Sequence, residues 1–140
     1  MRYDPYAHAE GLGVTVVWGD PGPGLVGLYD HGHRRIVLRD GLTRRVERCV
    51  LAHEILHHEH GDELTRDPMW AARREERCDR VAASRLIRWE DYLAAAVATD
   101  DPGALCLELD VTAWILSAYH RALTPGQVAE LGCRRADAAA

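Results

Sequence analysis

A chain of 140 residues has the length of one ordinary domain, and 47% of its residues are hydrophobic while 28% are charged. This composition supplies a buried core and argues against an intrinsically disordered protein. The net charge of −5 gives no overall attraction to nucleic acid or anionic lipid. No apolar run approaches the roughly 20 residues that cross a bilayer, and the start lacks a secretion signal, so we expect a cytoplasmic protein.

The first third of the chain predicts a short helix and then a small antiparallel sheet. Residues 4–12 suit the helix, because Pro5 fits a first turn and Gly13 fits the end. A β-branched run follows at 14–18, and apolar runs at 25–29 and 35–39 flank a glycine-containing turn typical of a hairpin. We expect about three strands, with the strand at 35–39 offering an edge to an extended peptide.

The rest of the chain predicts helices. Thr43 can cap a first long helix that no Pro or Gly interrupts before Gly61, and a second long helix is expected over 70–89. Four shorter helices are expected after it, and residues 134–140 are expected to fray. The shorter helices lie at 91–99, 104–109, 112–123 and 125–131.

The four cysteines are scattered along the chain, and no two of them form a CxxC pair. Local sequence therefore provides no cysteine metal knuckle, and we expect four buried thiols in a reducing compartment. The residues are Cys49, Cys78, Cys106 and Cys133.

An HExxH motif occupies residues 53–57 of the first long helix. Positions four apart lie one turn above each other, so His53 and His57 can bind a single metal ion. Glu54 can reach a water on that metal without being a ligand, which predicts the role of catalytic base. The alternative is a surface helix that is merely rich in histidine.

A zinc hydrolase needs a third protein ligand and leaves a fourth position for water. Glu75 and Asp79 lie four apart on one face of the second long helix. Glu75 is the predicted third ligand, and Asp79 is predicted to accept the N–H of a ligand histidine. Glu76 is the main alternative ligand, followed by Asp62, Glu63 or Asp79. The alternative to a metal-binding role is that this segment is simply a solvent-exposed helix face of paired Glu and Arg side chains.

The pattern resembles the ImmA/IrrE family of zinc metallopeptidases. The resemblance covers roughly residues 4–90 and rests on Leu-Ala-His-Glu-Ile-Leu-His and on the ExxxDxxAA pattern that begins at Glu75. It implies an α+β, zincin-like domain over 1–90, with a small N-terminal sheet, an active-site helix and a third-ligand helix. A helical extension at 91–133 would pack on this domain. Cys78 departs from the family, which usually has Ala there.

The resemblance also implies a function. His53, His57 and Glu75 would hold Zn²⁺, Glu54 would be the base, and the substrate would be a helix-turn-helix repressor protein. Relatives are typically encoded by bacteria, phages or mobile elements. A catalytically silent zinc protein that binds a repressor or DNA is the alternative, although a structural zinc would not need Glu54.

Direct DNA binding is the weaker interpretation of the C-terminal helices. Residues 101–123 resemble a helix-turn-helix, but the candidate recognition helix at 112–123 carries only His120 and Arg121 as basic residues. Packing or repressor docking is therefore favoured. The sequence predicts no membrane partner and assigns no oligomeric state.

Overall fold

The computed structural model of the chain describes residues 2–140 and shows an α+β fold, which confirms the predicted class. One helix precedes three strands, and six helices follow them within this described part. The elements are α1 (Pro5–Leu12), β1 (Thr15–Gly19), β2 (Gly27–Asp30), β3 (Arg35–Arg39), α2 (Arg44–His60), α3 (Pro68–Leu86), α4 (Trp89–Ala98), α5 (Pro102–Leu109), α6 (Ala113–Ala122) and α7 (Pro125–Ala139). Across residues 2–140, no helix combines the length and the apolar character that spanning a bilayer requires.

The two long helices begin and end at residues suited to these positions. The Thr43 side chain caps α2 by accepting the backbone N–H of Val46, and Gly61 ends the helix in the left-handed region at φ 61°. Asp67 caps α3, and Pro68 occupies its first turn. These local signals fix where each helix starts and thus which side chains face the other helix.

The sheet is mixed, so the prediction of an antiparallel sheet is wrong for one of its two pairings. Its strand order is β1-β3-β2, with β1 parallel to β3 and β2 antiparallel to β3. The predicted β2–β3 hairpin is confirmed. The expectation that residues 35–39 form an edge is wrong, because β3 is paired on both sides and buries Ile36 and Leu38 completely. The edges belong to β1 and β2.

Helix α2 lies between two hydrophobic clusters. One cluster joins the sheet and α1 to one side of α2. The other joins the opposite side of α2 to the helices that follow. From α2, the sheet cluster takes Val50, Leu51 and Ile55, and the helical cluster takes Cys49, Ala52 and Leu56. The helix that carries the HExxH motif is therefore held on both sides.

The largest differences from the predicted helix boundaries are at the ends of α3 and α7. Helix α3 ends at Leu86, because Ile87 and Arg88 are extended, and Trp89 begins α4 instead of ending α3. Helix α7 continues to Ala139, through residues that were expected to fray. Its alanine-rich sequence favours helix, and Arg135 anchors it by donating from Nε to the carbonyl of Ala96 at 2.8 Å.

The helix-turn-helix-like segment uses its apolar face for packing. Helix α6 lies against α3 and buries Ile115, Leu116, Ala118 and Tyr119. Its exposed side carries Arg121, whose guanidinium donates to Ser117 Oγ at 2.9 Å. Helix α6 thus supports α3 from behind.

Two of the four cysteines are buried, so the expectation of four buried thiols is wrong for the other two. Cys49 and Cys78 are buried, Cys106 is half-buried, and Cys133 is exposed on α7. All four are free thiols.

Candidate metal centre

The two motif histidines point from one side of α2 toward α3. The Nε2 atoms of His53 and His57 lie 3.2 Å apart. Two ligand atoms on one tetrahedral zinc, each at about 2.0–2.1 Å, lie roughly 3.4 Å from each other. The imidazole pair therefore has the separation that a shared metal ion requires.

Helix α3 brings a carboxylate to the same two atoms. Glu75 Oε2 lies 2.9 Å from His53 Nε2, and Glu75 Oε1 lies 3.0 Å from His57 Nε2. The predicted competitor, Glu76, turns away and pairs with Arg80 at 4.0 Å. Two nitrogens and a carboxylate form a donor set that suits zinc, so the residues fit the ion that the sequence predicts.

The other ring nitrogen of each histidine faces a second carboxylate. His53 Nδ1 lies 2.8 Å from Asp79 Oδ1, in the arrangement predicted for Asp79. His57 Nδ1 lies 2.9 Å from Asp62 Oδ2, which also accepts from Arg77 Nη2 at 2.7 Å. A histidine that donates from Nδ1 keeps Nε2 free for a metal. The sequence leaves Asp62 as an alternative metal ligand, but in the structure its carboxylate contacts His57 Nδ1 and orients the ring.

A buried thiol lies beside this arrangement. Cys78 Sγ is 3.7 Å from His57 Nδ1. Together, His53, His57 and Cys78 offer ligand atoms within 4.8 Å of one another and could hold a metal ion. Cys78 approaches His57 from the side that Asp62 already occupies, whereas Glu75 approaches both Nε2 atoms. The Nε2 side is therefore the better position for the ion.

Sequence reasoning missed the placement of Cys78 and the role of Asp62. Neither forms a spacing motif with residues 53–57, and only the contact between α2 and α3 brings Cys78 to the site. Asp62 carried one signal, because it directly follows Gly61, whose left-handed conformation turns the chain back over the end of α2.

The carboxylates make the site strongly favourable for positive charge. Burial alone would lower the pKa of His53, but hydrogen bonds with Asp79 and Glu75 outweigh it and raise the pKa to about 10. Burial likewise lowers the pKa of His57, but hydrogen bonds with Cys78, Glu75 and Asp62 raise it by more. The net effect raises the pKa of His57 to about 11. Hydrogen bonds from the two histidines hold the pKa of Glu75 well below its usual range. A metal ion would replace protons in this environment.

Glu54 lies against the sheet beside the two histidines and is only 8% exposed. Burial raises the pKa of its carboxyl group, while the nearby histidines act in the opposite direction. Strand β2 can approach because residue 27 is Gly. A Cβ there would lie 2.5 Å from Val50 Cγ1 and 3.3 Å from Glu54 Oε1. The backbone of β2 therefore forms one wall of the site.

Two cavities flank the site along β2. The first, of about 260 Å³, is lined by Leu28, Leu64 and His57, among others, and the second, of about 300 Å³, by Val26, Trp114 and His53. Glu54 and Glu75 line both cavities. The site thus lies in the middle of a cleft rather than at its end.

A larger cavity, of about 930 Å³, opens on another side of the turn that joins β2 to β3. His31 and His58 line it, and the Nδ1 atoms of both lie within hydrogen-bonding distance of the Tyr29 hydroxyl, at 3.0 and 3.1 Å. None of His53, His57 and Glu75 lines this cavity. The three donor residues therefore face the cleft along β2 and not this larger cavity.

Comparison with known families gives a match over residues 9–109, to the family described as Peptidase_M78: IrrE N-terminal-like domain. No curated protein sequence matches the chain. The matched region covers more than half of the chain and includes both helices of the site, together with the sheet. The chain therefore belongs to the ImmA/IrrE family of peptidases, as its two helix motifs predict.

Proposed function

We propose that this chain is a zinc-dependent endopeptidase that cleaves a partner protein, such as a helix-turn-helix repressor. The observation that carries the proposal is the convergence of His53, His57 and Glu75 beside the buried Glu54, in a member of a peptidase family. A binding protein without activity would not need a buried carboxylate next to the donor set. The repressor substrate and the phage or mobile-element setting rest on the family resemblance, and such a substrate would require a cytoplasmic enzyme.

Three side chains would hold the zinc ion: His53 and His57 through Nε2, and Glu75 through its carboxylate. When bound, zinc with three protein ligands lowers the pKa of its water to about 7 and polarises a peptide carbonyl. Asp79 and Asp62 keep the two imidazoles oriented through their Nδ1 atoms. Arg77 holds Asp62 in place in turn.

Glu54 would move the protons of the reaction. Its carboxylate takes a proton from the attacking water and later donates it to the leaving amine. The low exposure of the side chain protects this proton transfer from bulk solvent. Glu54 is not among the metal-contacting groups, so its removal should leave metal binding intact.

The free edge of β2 would bind an extended substrate segment. Arg39 donates its backbone N–H to Val26 O at 2.9 Å, so the backbone groups of residues 26, 28 and 30 bond to β3. The backbone N–H and C=O groups of residues 27 and 29 therefore point toward the free edge. The outward-facing backbone groups of Gly27 and Tyr29 lie on the wall of the cleft. Addition of a strand here gives affinity from main-chain hydrogen bonds.

Elemental analysis of purified protein tests the metal site. We expect about one zinc per chain in wild type, loss of zinc in Glu75→Ala, and retention in Glu76→Ala. Incubation with a randomised peptide library, followed by mass spectrometry of new termini, tests cleavage. Glu54→Gln should keep zinc and lose cleavage. A wild-type protein that cannot take up zinc, or a Glu54→Gln variant that cleaves like wild type, contradicts the proposal.

A further inference from the structure

The cavity next to His53 contains a residue from outside the family match. Trp114 lies on α6, beyond the matched residues 9–109, yet it lines the same cavity as His53 and Glu54. The C-terminal extension thus reaches the cleft itself. Any substrate selectivity that Trp114 provides therefore comes from outside the region that matches the family.

The walls of this cavity are largely apolar. Leu25 and Val26 line it from the loop before β2, Val50 from α2, and Trp114 from α6. Trp114 is 38% exposed, and Leu25 and Val26 are also exposed. Exposed apolar side chains that gather around one opening are typical of a binding surface. The charged groups on the lining are Glu54, Glu75 and Asp79, of which the first two belong to the proposed reaction and Asp79 bonds to His53.

The direction of β2 determines which part of a substrate reaches this cavity. Antiparallel pairing is the more stable arrangement for a strand added to the free edge. β2 runs from Gly27 to Asp30, and the cavity is at its beginning. An antiparallel segment would therefore place the residues after the cleaved bond there, and the residues before it toward Leu64.

We infer that the cavity lined by Trp114 binds the substrate side chain on the C-terminal side of the cleaved bond and selects an apolar residue. This inference rests on the proposed function and specifies its substrate class. A leucine-sized side chain half-covered by these walls gives a preference of about tenfold over glycine. Trp114 supplies the side of the cavity that residues 9–109 do not.

Binding of two synthetic hydroxamates to the zinc-loaded protein tests the inference without any cleavage. Both are succinyl hydroxamates that end in an alanine amide; one carries an isobutyl side chain and the other carries hydrogen. The hydroxamate group binds zinc, so the attached chain extends to one side of the ion. Calorimetry should show about tenfold tighter binding of the isobutyl probe to wild type. This preference should largely disappear in Trp114→Ala.

Three variants serve as controls. Leu64→Ser alters the cavity on the opposite side of the site, and Trp18→Ala removes an exposed tryptophan from β1, at the far edge of the sheet. Both should keep the wild-type preference. Val26→Ser should reduce it independently of Trp114, which covers the case in which Trp114→Ala folds poorly. The hydrogen probe should bind Trp114→Ala and wild type equally.

The possible failures are distinguishable. If wild type binds both probes equally, the inference is wrong and the proposed zinc peptidase stands. If the preference depends on Leu64 instead of Trp114 and Val26, the side chain lies in the other cavity and the inference is again wrong. If neither probe binds zinc-treated wild type, the zinc site itself is wrong, and the proposed function fails together with the inference.

Discussion

Asp62 should control metal affinity although it is not placed as a ligand. Its Oδ2 lies 2.9 Å from His57 Nδ1 and 2.7 Å from Arg77 Nη2, and its side chain is 11% exposed. A charge-assisted hydrogen bond with this little exposure contributes about 1.5–3 kcal/mol. Since about 1.4 kcal/mol corresponds to a tenfold change in affinity, Asp62→Ala should weaken zinc binding roughly tenfold to a hundredfold.

The contact between Asp62 and a titratable histidine narrows the expected loss of zinc affinity in Asp62→Ala. Asp62 also stabilises a protonated His57, which competes with the metal, so part of the loss is offset and we expect a value near about tenfold. Asp62→Asn keeps an oxygen that can accept from Nδ1 but removes the charge. Its effect on zinc affinity should therefore be smaller than that of Asp62→Ala.

Competition with a chromophoric chelator at fixed pH and ionic strength measures the zinc affinity. Glu63→Gln is a matched control, because it removes one negative charge from the same loop while its side chain is 78% exposed. Urea unfolding in the presence of a chelator separates any loss of fold stability from the loss of metal affinity. A zinc affinity for Asp62→Ala equal to that of Glu63→Gln would refute the reasoning.

Three further predictions concern other parts of the fold. Gly27→Ala should reduce the free energy of unfolding by about 1–3 kcal/mol, because its Cβ would lie 2.5 Å from Val50 Cγ1. It should also impair cleavage more than it lowers zinc content. Urea unfolding and elemental analysis check these effects, and an unchanged unfolding midpoint contradicts the prediction. Burial raises the pKa of Tyr119 to about 12. Its contribution to stability should therefore be complete below pH 10, the ordinary pKa of tyrosine, and be lost as the pH rises through 12. Absorbance at 295 nm should show a late-titrating phenol that Tyr119→Phe removes, and identical titration curves for the two proteins would contradict this prediction. Asp110→Ala should reduce the free energy of unfolding by about 1–3 kcal/mol, because Asp110 has φ 55° and pairs with Arg48 at 3.4 Å. Asp110→Asn should cost less in the same urea experiment, since asparagine tolerates the left-handed backbone conformation. Equal losses in the two variants would show that this conformation is unimportant.

Local sequence predicted the two site helices well, because capping, uninterrupted helix and the four-residue spacing of His53 and His57 are all encoded in one short segment. Strand order is not encoded in this way. The hairpin between β2 and β3 was predictable from its turn, but the parallel pairing of β1 with β3 depends on how the loop at 20–26 crosses the fold. The edge that faces the site was therefore assigned to the wrong strand.

The contacts around the histidines show the same division. Asp79 was predictable because it shares a helix with Glu75 at a helical spacing, whereas Cys78 reaches His57 only through the packing of α3 on α2. The end of α3 at Leu86 was missed because no Gly or Pro marks it. Ile87 and Arg88 are extended there, and Trp89 packs as part of the next helix by stacking on Tyr92 at a centroid distance of 5.8 Å.

The position of α2 between two hydrophobic clusters has a consequence for the kinetics of metal exchange. The backbone amides in the middle of this helix should be among the slowest in the chain to exchange with solvent hydrogen, because packed side chains cover the helix on both sides. The two histidines would then stay in place throughout the life of the folded chain. Glu75 is different, since it lies on α3 and its side chain is 56% exposed. We therefore expect rotation of Glu75 away from the histidines, rather than any opening of α2, to set the rate at which a bound ion leaves.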